Sequence, residues 1–299
     1  MSASTLEVPR VDAERRAAVV RAGLLCALAT GVFAPILYYM TIHWRDSADY
    51  SHGFLIVPLA VVFTWERIPK LRKAPIDPTW WGTLPLLIGS ASLLVGRLGV
   101  ELMSMRVAFV LTLHGIVLMT LGRSIYRILL FPMLFLFLMV PLPQSLVNII
   151  AFPLQLIAAD VAVTGLYWVG VPALREGNII HLAASQLFVA EACSGLRSLM
   201  ALGTLGIVFA YFFRKNMIER AVLVLSTIPI AITVNAFRVF LTGVLTSRYG
   251  EEFAEGATHQ MEGFITFGLA LVLLLIEAWL MKMLWPKSWR AKPRAGARA

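Results

Sequence analysis

Runs of about twenty apolar residues recur along this chain, and they constrain its fold more than any other feature. A helix needs ~20 such residues to cross the ~30 Å hydrocarbon layer of a bilayer. Spans are read at about 17–41, 52–66, 80–98, 104–122, 124–141, 195–213, 219–246 and 261–285. The second is short. Composition agrees: 59% of the 299 residues are hydrophobic and 14% charged, against about 45–50% and about 25% in a soluble domain. That balance excludes a soluble enzyme, a disordered chain and a disulfide scaffold; the two cysteines, Cys26 and Cys193, are far apart in sequence.

A further apolar stretch, 144–170, follows the Pro141-Leu142-Pro143 break. Its Gln144, Asn148 and Gln155 fall on one helical face, and charge decides its reading. Basic residues gather in the cytoplasmic loops of membrane proteins. Arg10, Arg15, Arg16 and Arg21, then Arg67, Lys70, Arg72 and Lys73, then Arg123 and Arg127, then Arg214, Lys215 and Arg220, and finally six from Lys282 to Arg298 make 19. All 19 lie on one side only if 144–170 does not cross, leaving seven on the other. The expected fold is an all-α integral membrane protein. It has eight transmembrane helices, both termini cytoplasmic, 144–170 as an amphipathic segment lying in the outer interface or re-entering, and a small outer hairpin. The parts are a basic tail over 1–16, one polytopic domain over 17–285 and a basic tail over 286–299. The net charge of +9 is then a topology signal, and nucleic acid is not an expected partner. The first apolar run is too long for a secretory signal and reads as the first span.

The hairpin is read from Asn178–Leu182 and Gln186–Ala190, strand formers separated by Ala183-Ala184-Ser185. It leads into Glu191-Ala192-Cys193-Ser194-Gly195-Leu196-Arg197-Ser198. Three ionisable groups come to one depth here. Cys193 opens the sixth span and His259 the eighth. Arg238 is 19 residues into the seventh, about 28 Å at 1.5 Å per residue. A helix N-terminus and a nearby cation, Arg197 or Arg238, favour a thiolate at Cys193. A guanidinium stabilises an oxyanion and an imidazole donates a proton to a leaving amine. Glu262 lies on the His259 face and can orient the ring, and Asn235 lies one turn before Arg238. The plainer readings are a small apolar cysteine, a snorkelling arginine and a headgroup-level histidine. His181 in the hairpin is the rival acid–base group, and Cys26, mid-span, reads as packing. His43 and His52 read as interfacial and His114 as a buried hydrogen-bonding residue. Arg97, Glu101 and Arg106 read as a solvated or headgroup-facing set. The His-Glu-x-x-His, Gly-x-Ser-x-Gly and phosphate-loop motifs do not occur, and neither a metal nor a cofactor is expected.

Glu191-Ala-Cys-Ser-Gly-Leu-Arg-Ser198, then Asn235-Ala-Phe-Arg-Val239, then His259 opening a final span, resemble the exosortase/archaeosortase family. These are multi-pass membrane cysteine transpeptidases. The resemblance implies a nucleophile at Cys193, with Arg238 and His259 as its partners and their division of labour open. It also implies a cysteine endopeptidase/transpeptidase that acts at the outer boundary of the cell's inner membrane. The implied partners are membrane lipids and exported proteins that end in a short motif, a tail helix and a basic cluster. Pro-Glu-Pro is the common motif, hence PEP-CTERM. Cleavage passes through an acyl-thioester, and such systems accompany exopolysaccharide production. The alternative is a non-enzymatic membrane component of a polysaccharide export or assembly complex.

Overall fold

A computed structural model describes the backbone of residues 4–183, 185–189, 195–214, 216–250 and 257–284. Side chains are described from residue 13 onward, except at 48 and 257–262. The chain is an all-α, multi-span membrane protein with one small antiparallel sheet. Among the described residues seven helices are long and apolar enough to cross a bilayer, and an eighth is gained when a bent pair counts as one span. Two compact units result, Met1–Pro143 and Gln144–Ala299.

In the first unit α1 (Ser4–Val32) and α2 (Ala34–Asp46) form the bent pair, turned by 68° at Phe33. Pro35 in the first turn of α2 explains the bend, because its ring nitrogen cannot continue the hydrogen-bond ladder of α1. There follow α3 (Gly53–Trp65), α4 (Ile68–Lys73), α5 (Thr83–Leu98), α6 (Leu102–Thr120) and α7 (Gly122–Phe135). At 13 residues α3 is about 20 Å long, less than the ~30 Å layer. Contacts define two opposite ends. At one, the Arg15 guanidinium donates to the carbonyls of Leu71 and Ala74, and the Asp77 carboxylate accepts from the Ser124 N–H and hydroxyl, both at 3.0 Å. At the other, Trp44 Nε1 donates to the Met139 carbonyl at 2.9 Å. His114 is buried and bonds the Tyr126 hydroxyl at 2.8 Å, as expected of a mid-span histidine. Glu101 and Arg106 differ from their solvated reading. Glu101 caps α6, its carboxylate accepting from the N–H groups of Met103 and Ser104, and Arg106 is buried at 5% exposure.

The second unit holds α8 (Gln144–Trp168), strands β1 (Ala173–Glu176), β2 (Ile179–Leu182) and β3 (Gln186–Phe188), α9 (Leu196–Phe213), α10 (Met217–Tyr249) and α11 (Ala257–Leu284). The surface-lying reading of 144–170 is corrected. Helix α8 is one continuous helix of 25 residues laid along α10 in the same direction. Leu154 borders one crevice with Ile232 and Asn235, Ala158, Ala159 and Ala162 pack with Ala236 and Val239, and Leu166 reaches Gly243. A helix lying flat across the end of α10 would touch it over one turn only. Of the polar face that suggested a surface helix, Gln144 and Asn148 are exposed and bond each other at 2.9 Å, whereas Gln155 is buried and accepts from Asn178 at 3.3 Å.

The expected hairpin is present with an added strand. The sheet order is β1-β2-β3, antiparallel throughout, and Glu176 pairs with Ile179 across a two-residue Gly177-Asn178 turn. Gly177 has φ +64°, the left-handed conformation such turns require. Ala173, Ile180, Leu182 and Leu187 turn one face of the sheet into the core made by α8 and α10. A second core joins α9, α10 and α11 through Leu202, Leu223, Val234, Ala270 and Leu274.

Candidate functional site

The starts of α9 and α11 meet the body of α10 through two close contacts. The first lies between α9 and α10. Gly195 caps α9 with φ +63°, a conformation that costs a residue with a Cβ about 1 kcal/mol or more. A Cβ at this position would also sit 3.0 Å from Asn235 Nδ2 and 3.1 Å from its Cγ. Glycine is therefore required twice over, by the backbone turn and by the amide that fills the space. Asn235 is 5% exposed, and with Gly195, Leu199 and Leu154 it borders a small crevice.

The second contact lies between α10 and α11. Arg238, one turn beyond Asn235, is 9% exposed. Its Nη2 lies 4.0 Å from where a Cβ on Gly263 would stand. Gly263 follows His259 by four residues, so the two share one face of α11. Within α10 the Arg238 carbonyl accepts from the buried Thr242 hydroxyl at 3.0 Å. Asn235, Arg238, Thr242 and the next buried threonine, Thr246, thus lie along one side of α10. Polar residues within a membrane span face the protein interior and mark function.

The expected residues divide as follows. Asn235 and Arg238 are brought together and buried, and Arg197 is exposed on the first turn of α9. Glu191, Cys193 and Ser194 lie outside the described residues. His259 and Glu262 lie on the described backbone of α11, their side chains outside the description. His181 stands on β2 with its Nε2 3.4 Å from Glu176 Oε2, a contact within the sheet. Cys26 is partly buried on α1 in the first unit. Thr242 was not anticipated; its spacing of four from Arg238 is the signal that would have found it.

The transmembrane exosortase family model (Exosortase_EpsH) matches residues 44–276, more than three quarters of the chain. The chain belongs to the transmembrane exosortase family. No curated protein and no solved structure matches it. The matched range takes in both contacts and runs from Trp44 of α2 to within α11. Within that range the chain carries Cys193, Asn235 and Arg238 on α10, and His259 on α11.

Proposed function

We propose that this exosortase family member is a membrane cysteine endopeptidase/transpeptidase that removes the C-terminal sorting signal of exported proteins and passes them to an acceptor. Cys193 is the nucleophile. Its thiolate adds to the scissile carbonyl, the C–N bond breaks as the leaving amine takes a proton, and an acyl-thioester remains. An acceptor nucleophile then displaces Cys193. Arg238 and His259 share two tasks, holding the developing oxyanion and supplying the proton. Asn235 positions Arg238 and the chain next to Cys193. The site faces the outside of the inner membrane, and the tail helix of the substrate lies within the bilayer.

The observation that carries this reading is the pair of contacts that tie Gly195, two residues after Cys193, to Asn235, and Arg238 to the His259 face of α11. A docking protein has no use for a buried asparagine and arginine where the starts of α9 and α11 meet α10. The test is tail cleavage in membranes. Cys193→Ala should insert normally and process no substrate, Cys193→Ser should be severely impaired, and Cys26→Ala should match the parent. Full processing by Cys193→Ala would end the cysteine mechanism.

A further inference from the structure

The first unit contains an apolar cavity of about 570 Å³ that the proposed chemistry does not use. It opens in the angle between the bent pair α1–α2 and the short helix α3, and its wall includes Met40, Trp44, Val61, Trp65, Ile68 and Phe109. We propose that it holds one acyl chain of an anionic phospholipid, with the headgroup on α4.

Size argues for a single chain. Trp44 packs on Gly53 at the start of α3 and Trp65 is its last residue. The cavity's lining on α3 runs from Val57 to Trp65, about 12 Å at 1.5 Å per residue. An extended hydrocarbon of ~1.5 Å bonds covers that length in about 10 zigzag steps. If a methylene takes roughly the ~30 Å³ of a liquid water, 16 carbons take about 480 Å³. A helix ~10 Å across would need roughly 940 Å³ over the same length, more than the cavity holds, which argues against a tail helix or a second copy's helix. The basic C-terminal stretch 285–299 carries Lys287, Arg290, Lys292, Arg294 and Arg298 and is too polar for this wall.

Charge argues for the headgroup. Ile68, which lines the cavity, is also the first residue of α4. Lys70, Arg72 and Lys73 follow on the same short helix and are exposed. Among the described residues no carboxylate pairs with them. Trp65, mostly exposed, stands between the apolar wall and these cations, the interfacial position that tryptophan favours. A phosphate at α4 and a chain in the cavity satisfy both features with one molecule.

The experiment is native mass spectrometry of the full-length protein in detergent, titrated with dioleoyl phosphatidylglycerol, dioleoyl phosphatidylcholine or dihexanoyl phosphatidylglycerol. The wild type should retain one dioleoyl phosphatidylglycerol about a hundredfold more tightly than the choline lipid, at about fivefold for each of Lys70, Arg72 and Lys73. The short-chain lipid should bind poorly. Val61→Trp fills the cavity and should weaken the dioleoyl anionic lipid at least tenfold. The triple variant Lys70→Gln, Arg72→Gln, Lys73→Gln should bind the two dioleoyl lipids equally. Should Val61→Trp lose its thermal transition, Val57→Trp on the same wall replaces it. Equal retention of both dioleoyl lipids by the wild type would overturn the proposal. So would loss in the triple variant beside full retention in the cavity-filled one, which would mean a charged surface without a chain site.

Discussion

Gly195 and Asn235 meet so closely that a Cβ on the glycine would stand 3.0 Å from the asparagine amide nitrogen. The contact couples the chain just after Cys193 to the turn of α10 before Arg238. Gly195→Ala should therefore disturb two things at once. The left-handed conformation alone costs about 1 kcal/mol, and the buried amide must also shift. We expect a protein that inserts with a slightly lowered Tm but cleaves tails at least tenfold more slowly. In an Asn235→Ala background the added effect of Gly195→Ala should shrink toward the backbone cost, since contacting residues are not additive. Additive effects on cleavage in that double-mutant cycle would separate the two residues.

The placement of α8 makes a topological prediction. Of the basic residues, 19 fall on one side and seven on the other when this segment does not change sides. Yet α8 lies along α10 and is embedded beside it. Running in the direction of α10, with Leu154 level with Asn235 and Leu166 level with Gly243, α8 begins on the side where α10 begins. Reporter fusions after residues 143 and 217 should therefore report one side and a fusion after 178 the other. Equal reports from 143 and 178 would make α8 re-entrant.

Most of the helical layout was legible because apolar length is a property of single segments. The runs at 80–98, 104–122 and 195–213 return as α5, α6 and α9 within a few residues. What escaped depends on partners. Gln155 looks like a surface residue until Asn178 supplies its hydrogen bond, and Arg106 looks solvated until neighbouring helices bury it. Strand β1 contains Arg175 and Glu176 and reads as loop without β2 beside it. The Asn235 and Arg238 positions were legible as polar residues on an apolar span. Their contacts with Gly195 and Gly263 depend on how α9, α10 and α11 pack.

Glu101 gives the protein an acid-sensitive helix cap. Burial acts to raise its carboxyl, but the Ser104 and Met103 donors and the Arg106 charge outweigh it and hold the group below its usual range. The folded state thus prefers the ionised form. The stabilisation is present above the unfolded carboxyl value, near 4.3, and is lost as pH falls through the depressed folded value. Glu101→Ala should cost about 1 kcal/mol at pH 7. It should also flatten the fall in Tm between about pH 5 and pH 3 relative to the parent. Parallel Tm–pH curves for the two proteins would remove the carboxylate from this role.

The last prediction separates the partners of the proposed nucleophile. His259 shares a helix face with Gly263, against which Arg238 rests, whereas the His181 ring is engaged with Glu176 inside the sheet. His259→Ala should therefore reduce tail cleavage strongly and His181→Ala only modestly, at matched protein levels. Arg238→Lys should rescue Arg238→Ala poorly. Arg238 is confined between α10 and α11, and a guanidinium presents a planar fork of donors that an ammonium cannot copy. Losing such a donor at an oxyanion costs about 3–4 kcal/mol in the barrier, a hundredfold or more in rate. A lysine enzyme within a few-fold of the parent would reduce Arg238 to a charge that favours the Cys193 thiolate. A dead His181→Ala beside an active His259→Ala would move the acid–base role into the sheet.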